Sequence, residues 1–264
     1  MIATLIVLAV AIPAAGLWLY QERLLFFPEP LPPGYRLANA PDVHELEVPV
    51  DGARLSVLQL RLPQPRGVVF FLHGNAGNLS GWFSNAAFYR AANYDLVMPD
   101  YRGYGKSSGR IQSEAQLLAD VRAVWDQVAP QYAGKKVVIY GRSLGTAPAA
   151  ALSAQLSAAG RPADLTVLVT PYSSVRELAA EIYPFVPGFL LRYPLETGAH
   201  AGGIRGPIAL YHGDRDELIA LCHSERLRDA LPNAQLTVIE GAHHNDIQEF
   251  PVYREHFMET LRAL

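Results

Sequence analysis

The 264-residue chain carries a single cysteine, Cys222, so no intrachain disulfide can form and cysteine usage leaves the redox compartment open. The same scarcity removes zinc-finger chemistry, and the eight histidines show no HExxH or paired-ligand spacing, so no metal site is expected. Charge is sparse as well. Only 18% of residues are charged, the formal net charge is −3 and no basic block occurs, which leaves no electrostatic case for a nucleic-acid partner.

Charge is wholly lacking at the N-terminus, where residues 1–20, MIATLIVLAVAIPAAGLWLY, contain no ionisable side chain of either sign. A helix of that length spans about 30 Å, the hydrocarbon thickness of a bilayer. Trp18 and Tyr20 close the run where aromatic rings favour headgroups, and Gln21, Glu22 and Arg23 follow. Residues 1–24 therefore read as an N-terminal transmembrane helix, a single-pass membrane anchor. The competing reading is a cleaved signal peptide, with Ala9, Ala11, Ala14 and Ala15 as the small residues of a cleavage site. Against it, no Lys or Arg precedes the run and apolar character resumes beyond any such site. Arg23 and Arg36 on the downstream side lean toward a cytoplasmic location for the domain that follows. Residues 25–43, which include PEPLPPG, read as a Pro-rich linker, a stiff spacer between membrane and domain. Just before PEPLPPG, Leu24, Leu25, Phe26 and Phe27 lie either at the membrane interface or against the domain.

What the chain does have is apolar residues, 50% of the total, enough for one large core. Residues 44–264 alternate strands with helices. HELEVPV has period two, Asp51 and Gly52 supply a turn, and RLSVLQLRL follows, so the first two strands pair antiparallel. The next strands, at 67–72, 94–99, 136–140, 164–170, 207–211 and 235–240, are mostly continuous apolar runs, as in a parallel sheet covered on both faces. Helices are predicted near 81–92, 113–130, 144–158, 223–231 and 247–262. Right-handed crossovers bring the strand C-termini to one edge. Residues 172–205 break the rhythm and read as a small cap. Its apolar side chains, among them Tyr183, Phe185 and Phe189, either form a wall near Ser143 that receives an acyl chain or glue a small helix to the domain. Tyr172 at the root of the cap and Trp82 join these three as candidate substrate-binding residues.

The chemistry is concentrated in VVIYGRSLGTAPAAA, where Ser143 sits between Gly141 and Gly145 as a β-branched run gives way to an Ala-rich helix. A tight strand-to-helix turn strains the central residue and lifts its side chain clear of the sheet, and this is a nucleophile elbow. A serine hydroxyl needs a base, an orienting acid and an oxyanion site. PIALYHGDRDELIA supplies a strand and an acidic loop with Asp214, Asp216 and Glu217; QLTVIEGAHHND supplies a strand and a turn followed by His243 and His244. The turn from His73 to Asn78 after GVVFFL is Gly-rich, leaving backbone N–H groups to face an oxyanion. His73 and His212 precede glycines at strand ends and read as packing or hydrogen-bonding residues. DYRGYGKSSG reads as a structural turn held by Arg102 and Asp100.

HGNAGN at 73–78, DYRGYGKSSG at 100–109, GRSLG at 141–145, HGDRDELI at 212–219 and HHND at 243–246, in this order, resemble the α/β-hydrolase superfamily. More narrowly, the chain resembles membrane-anchored serine hydrolases related to protein depalmitoylases and serine-aminopeptidase-type hydrolases. The resemblance implies an α/β-hydrolase fold with a mostly parallel eight-stranded sheet, helices on both faces and a small cap. It implies Ser143 as nucleophile, Asp216 as acid and His244 as base, with the amides of Asn75 and Leu144 forming the oxyanion hole. Asp214 and His243 stay open as rivals two and one residues away, because geometry decides such a set. The implied activity is hydrolysis of an acyl ester or thioester, on a small-molecule or lipidated substrate, without a cofactor. Amide hydrolysis of the aminopeptidase kind and a catalytically silent, membrane-tethered binding protein are the alternatives.

Overall fold

The hairpin Val43–Val50 (β2) and Ala53–Leu60 (β3) shows why one edge of the sheet is antiparallel. Val43 pairs with Leu60 and Val50 with Ala53, and the chain reverses through Gly52 at φ +69°, a conformation that costs glycine nothing. A computed structural model of the chain describes residues 15–32 and 34–264. Besides the hairpin it contains Phe27–Pro28 (β1), Gly67–Leu72 (β4), Ala76–Gly77 (β5), Tyr94–Pro99 (β6), Lys136–Arg142 (β7), Leu165–Val169 (β8), Ile208–Gly213 (β9) and Ala234–Ile239 (β10). Eight strands form one sheet in the order β10-β9-β8-β7-β4-β6-β3-β2. The sheet is mixed: β2 and β3 are antiparallel to their neighbours, and the pairs from β6 through β4 to β10 are parallel. The central strands β4, β6 and β8 are buried throughout, as continuous apolar runs require.

Helices cover both faces. Residues 15–25 are helical (α1), followed by Leu79–Trp82 (α2), Ala86–Ala92 (α3), Glu114–Val128 (α4), Thr146–Ala158 (α5), Val175–Ile182 (α6), Thr197–Ala201 (α7), Cys222–Ala230 (α8) and Pro251–Ala263 (α9). One core packs Leu117, Val121, Ala150 and Leu227 of α4, α5 and α8 against one face of the sheet. The other packs Tyr89 of α3 and Tyr253 and Phe257 of α9 against the opposite face. The helix expected over 81–92 is broken into α2, a 3-10 turn at Phe83–Asn85 and α3. That over 247–262 starts at Pro251 instead. Proline disfavours helical backbone at the residue before it, and Phe250 is extended, with φ −69° and ψ 126°.

Residues 1–14, which hold most of the predicted anchor, lie outside the described residues. Among the described residues no helix is long and apolar enough to cross a membrane. The segment read as a spacer runs along the domain. Phe27–Pro28 pairs in parallel with Ala76–Gly77, the Leu31 amide donates to the Gly105 carbonyl, and Phe26 and Leu37 are buried. Its backbone and apolar side chains find partners that a free tether would lack. The cap between β8 and β9 contains α6, a 3-10 turn at Gly188–Leu190 and α7. Ser174 caps α6 by accepting from the Glu177 amide at 3.0 Å.

Candidate active site

Strand β7 ends at Arg142 and enters a 3-10 turn, Ser143–Gly145, that leads into α5. Ser143 has φ +51°, left-handed backbone that costs a non-glycine residue about 1–2 kcal/mol. The flanking glycines are steric requirements. A Cβ on Gly141 would lie 2.3 Å from the Gly145 carbonyl oxygen, and one on Gly145 would lie 2.1 Å from the Leu72 carbonyl oxygen. These contacts press the start of α5 onto the C-terminal end of β4, so Ser143 stands beside the turn that begins at His73. Thr146 Oγ1 donates to the Ser143 carbonyl at 2.7 Å and tightens the turn.

The end of β9 and the turn after β10 come together over this serine. His244 Nε2 lies 2.9 Å from Ser143 Oγ, and His244 Nδ1 lies 2.8 Å from Asp216 Oδ2. A carboxylate accepts only, so Nδ1 carries the proton and Nε2 is left with its lone pair toward the hydroxyl. Asp216 Oδ1 accepts from the amides of Leu218 and Ile219 at 2.9 and 2.8 Å. Burial opposes ionisation of Asp216, yet hydrogen bonds from His212, His244 and the Ile219 amide outweigh it and hold the carboxyl far below the usual range. The rivals point elsewhere. Asp214 accepts from the Gly241 amide at 2.6 Å, and His243 turns outward to Glu217 at 3.1 Å.

Three side chains outside the expected Ser143, His244 and Asp216 set fix this row. Arg142, the residue before Ser143, donates to the carbonyls of His244 and Asn245 at 3.1 and 2.9 Å and to Gln248 Oε1 at 3.0 Å. Its guanidinium also lies over the Trp82 ring, 5.1 Å from the centroid. Glu217 Oε2 takes up His243. His212, read as a packing or hydrogen-bonding residue, is buried and hydrogen-bonded: its Nε2 donates to the Ile219 carbonyl at 2.8 Å and stands 3.3 Å from Asp216 Oδ2. Ser224 completes its partners at Nδ1, 2.7 Å away. The signal for Arg142 lay in its position, one residue before the elbow, where a buried cation needs acceptors.

The 73–78 turn is held from several sides. Tyr101 and Tyr104 donate to the carbonyls of His73 and Asn75 at 2.8 and 2.7 Å, and the Phe27 amide donates to the same Asn75 carbonyl at 2.8 Å. A Cβ on Gly74 would meet the Trp82 ring at 3.0 Å and Ser143 Cβ at 3.7 Å, so the turn lies directly against the serine. Asp100 does not pair with Arg102. It accepts from the Leu79 amide at 3.1 Å beside His73, while Arg102 forms a bidentate pair with buried Asp120 at 2.6 and 2.8 Å.

Of the candidate substrate residues, Tyr172 is buried and donates to the Leu144 carbonyl at 3.1 Å, and burial pushes its phenol pKa up, so it stays a donor. Trp82 lies over Gly74, its indole donating to Ala76 at 2.8 Å. Tyr183, Phe185 and Phe189 instead project into solvent, 62%, 95% and 82% exposed. Neither a packed wall nor glue fits such exposure.

Comparison with known proteins agrees with this architecture. A profile of the family described as serine aminopeptidase, S33, matches residues 63–194. An uncharacterized protein of Mycobacterium tuberculosis is 30% identical over 91% of this chain and 88% of its own length. The chain belongs to the serine aminopeptidase S33 family of α/β hydrolases. Protein bem46 of Schizosaccharomyces pombe is 29% identical over 80% of this chain and 75% of its own length. Human alpha/beta hydrolase domain-containing protein 17C is 29% identical over 75% of this chain and 59% of its own length. An esterase of Pyrococcus furiosus shares the fold with a TM-score of 0.70 at 20% identity, covering 90% of this chain and 98% of that one. The thioesterase domain of the curacin biosynthetic pathway does so with a TM-score of 0.61 at 16% identity, covering 84% and 99%.

Proposed function

We propose that this family member is a membrane-anchored serine hydrolase that cleaves acyl esters or thioesters through an acyl-enzyme intermediate. The observation that carries the reading is the row Ser143 Oγ, His244 Nε2, His244 Nδ1, Asp216 Oδ2, with contacts of 2.9 and 2.8 Å and a strained serine at its head. In the proposed reaction His244 takes the Ser143 proton as Oγ bonds to the acyl carbonyl carbon. Ionised Asp216 holds the Nδ1–H tautomer and offsets the imidazolium charge. The amides of Asn75 and Leu144 receive the oxyanion, and His244 then gives its proton to the leaving alkoxide or thiolate. Water, deprotonated by the same imidazole, attacks the acyl-enzyme and frees the acid and Ser143.

Support for an ester or thioester comes from the site and from the esterase and thioesterase of the same fold. The family's description as an aminopeptidase motivates the amide alternative, decided by comparing aminoacyl amides with acyl esters of matched chain length. The uncharged run over residues 1–20 supports the anchor. The first test is labelling of the purified chain by a fluorophosphonate. Stoichiometric labelling that vanishes in Ser143→Ala and His244→Ala establishes an activated serine; a folded wild-type protein that does not label returns the chain to the binding-protein reading.

A further inference from the structure

The cap carries an exposed apolar tip that the proposed chemistry does not use. Residues 182–191, IYPFVPGFLL, have no charged side chain. Ile182 and Tyr183 are 56% and 62% exposed, and Phe185 and Phe189 more so. Large rings held in water by prolines and a 3-10 turn are costly to keep solvated, and a surface of this kind marks a contact site.

What covers it is indicated by α1, because that helix is bolted to the root of the tip. Gln21 Nε2 donates to the Leu190 carbonyl at 2.5 Å and Gln21 Oε1 accepts from the Arg192 amide at 2.8 Å. Glu22 pairs with Arg192 and accepts from the Tyr193 hydroxyl, both at 2.8 Å. Arg192 also lies over the Trp18 ring, and Phe26 packs edge-on against Tyr193. Helix α1 therefore cannot approach a surface without bringing residues 190–193 with it. Its own Trp18, Leu19, Tyr20 and Leu24 are exposed as well. The chain that leads into it, residues 1–14, is uncharged throughout. The described part of α1, residues 15–25, spans about 16 Å, so residues 190–193 at the root of the tip stay within about that distance of residue 15, where the uncharged segment joins.

We infer that the cap tip, centred on Phe185 and Phe189, is a second membrane contact that inserts into the interfacial layer of a lipid bilayer beside the N-terminal anchor. The inference rests on the membrane reading of the N-terminus but adds a separate point of attachment. Two contacts on one rigid body fix orientation, which a single tether does not. The cap springs from Tyr172, whose hydroxyl holds the Leu144 carbonyl, so an inserted tip would fix the orientation of the elbow relative to the bilayer. Tyrosine and phenylalanine at a boundary of this kind are the side chains the interface prefers.

The test places an environment-sensitive nitrobenzoxadiazole label on the full chain in a Cys222→Ser background, at Phe185→Cys or at Val252→Cys. Val252 is an exposed control on α9, which packs on the opposite face of the sheet. The probe membrane is a vesicle of phosphatidylcholine with a minority of phosphatidylglycerol, and binding is checked by co-sedimentation. The expected result is a blue shift and a roughly two-fold or greater emission rise at position 185 on adding vesicles, with none at 252, as a label leaving water for the interface gives. Chain that sediments with vesicles while the label at 185 keeps its aqueous spectrum overturns the inference and leaves the anchor standing alone. A label already blue-shifted without vesicles, and unchanged by them, also overturns it, since residues 1–14 or a second copy then cover the tip. Fluorophosphonate labelling of the same samples separates these outcomes from failure of the hydrolase reading, because it reports Ser143 whatever the tip does.

Discussion

From Val138 to Ser153 every residue is buried except Ser143, whereas from Ile182 to Phe189 the largest side chains face water. The first stretch spends small residues where backbones touch: Gly141 and Gly145 admit no Cβ, and the alanines of α5 let that helix lie on the sheet. The second spends large residues where nothing among the described residues buries them. Internal packing dictates the one sequence, and it cannot explain the other. A residue in the elbow answers to its neighbours, and a residue in the tip answers to whatever it meets outside.

Substitutions can break or sharpen this contrast. The largest effect is expected at the elbow row. Ser143→Ala and Asp216→Asn should each lower kcat by on the order of 10³-fold or more while leaving the fold intact, checked by ester turnover and circular dichroism. A residual rate near wild type in either would remove the proposed roles. Gly145→Ala comes next. Its Cβ would sit 2.1 Å from the Leu72 carbonyl oxygen, so the backbone must shift at a cost of about 2–4 kcal/mol, read as a fall in denaturation midpoint. Arg142→Ala, which frees the His244 loop, should cost about 10-fold in kcat with little change in KM, consistent with a positioning role. At the small end, Phe185→Ser should move the stability of the protein in solution by no more than about 0.5 kcal/mol, since its ring is 95% exposed. A large loss there would mean that the tip is packed after all.

Acid sharpens the contrast in another way. Asp216 has its pKa depressed in the folded chain, so it contributes stability that is present above the unfolded carboxylate value, about pH 4, and lost as pH falls through the folded value. Unfolding by urea across that range should show a flatter acid limb for Asp216→Asn than for wild type. An equally steep limb in the variant would place the acid sensitivity elsewhere.

Much of the frame was legible because its signals are local. The Asp51-Gly52 turn between alternating strands gave the hairpin, and continuous apolar runs gave the buried parallel strands. The Ser143 elbow was legible for the same reason, since its glycines sit two residues to either side. Pairings across the fold were not. Arg102 and Asp100 were read as holding the 100–109 turn, but that Arg102 does so by pairing with Asp120 on α4 was not legible, since no pattern in the chain announces a contact between a loop and a distant helix turn. Phe27 pairing with Ala76 was hidden because a two-residue strand has no period to detect. His243 and His244 differ only in which way a turn points them. The tip was legible as apolar but not as exposed, because composition does not say which face of a cap meets the sheet.

The sheet order itself carries a last consequence. Ser143 follows a strand at the centre of the sheet, while His244 follows β10, the terminal strand. Strand ends at an edge open more often than those in the middle, so the histidine loop belongs to a region of lower local stability than the serine it serves. Arg142 reaches from the central strand to the carbonyls of that loop, tying the part that frays first to the part that frays last. Warming should therefore loosen the histidine loop by local opening below the global melting temperature, and the gap between the two temperatures measures how well one guanidinium holds them together.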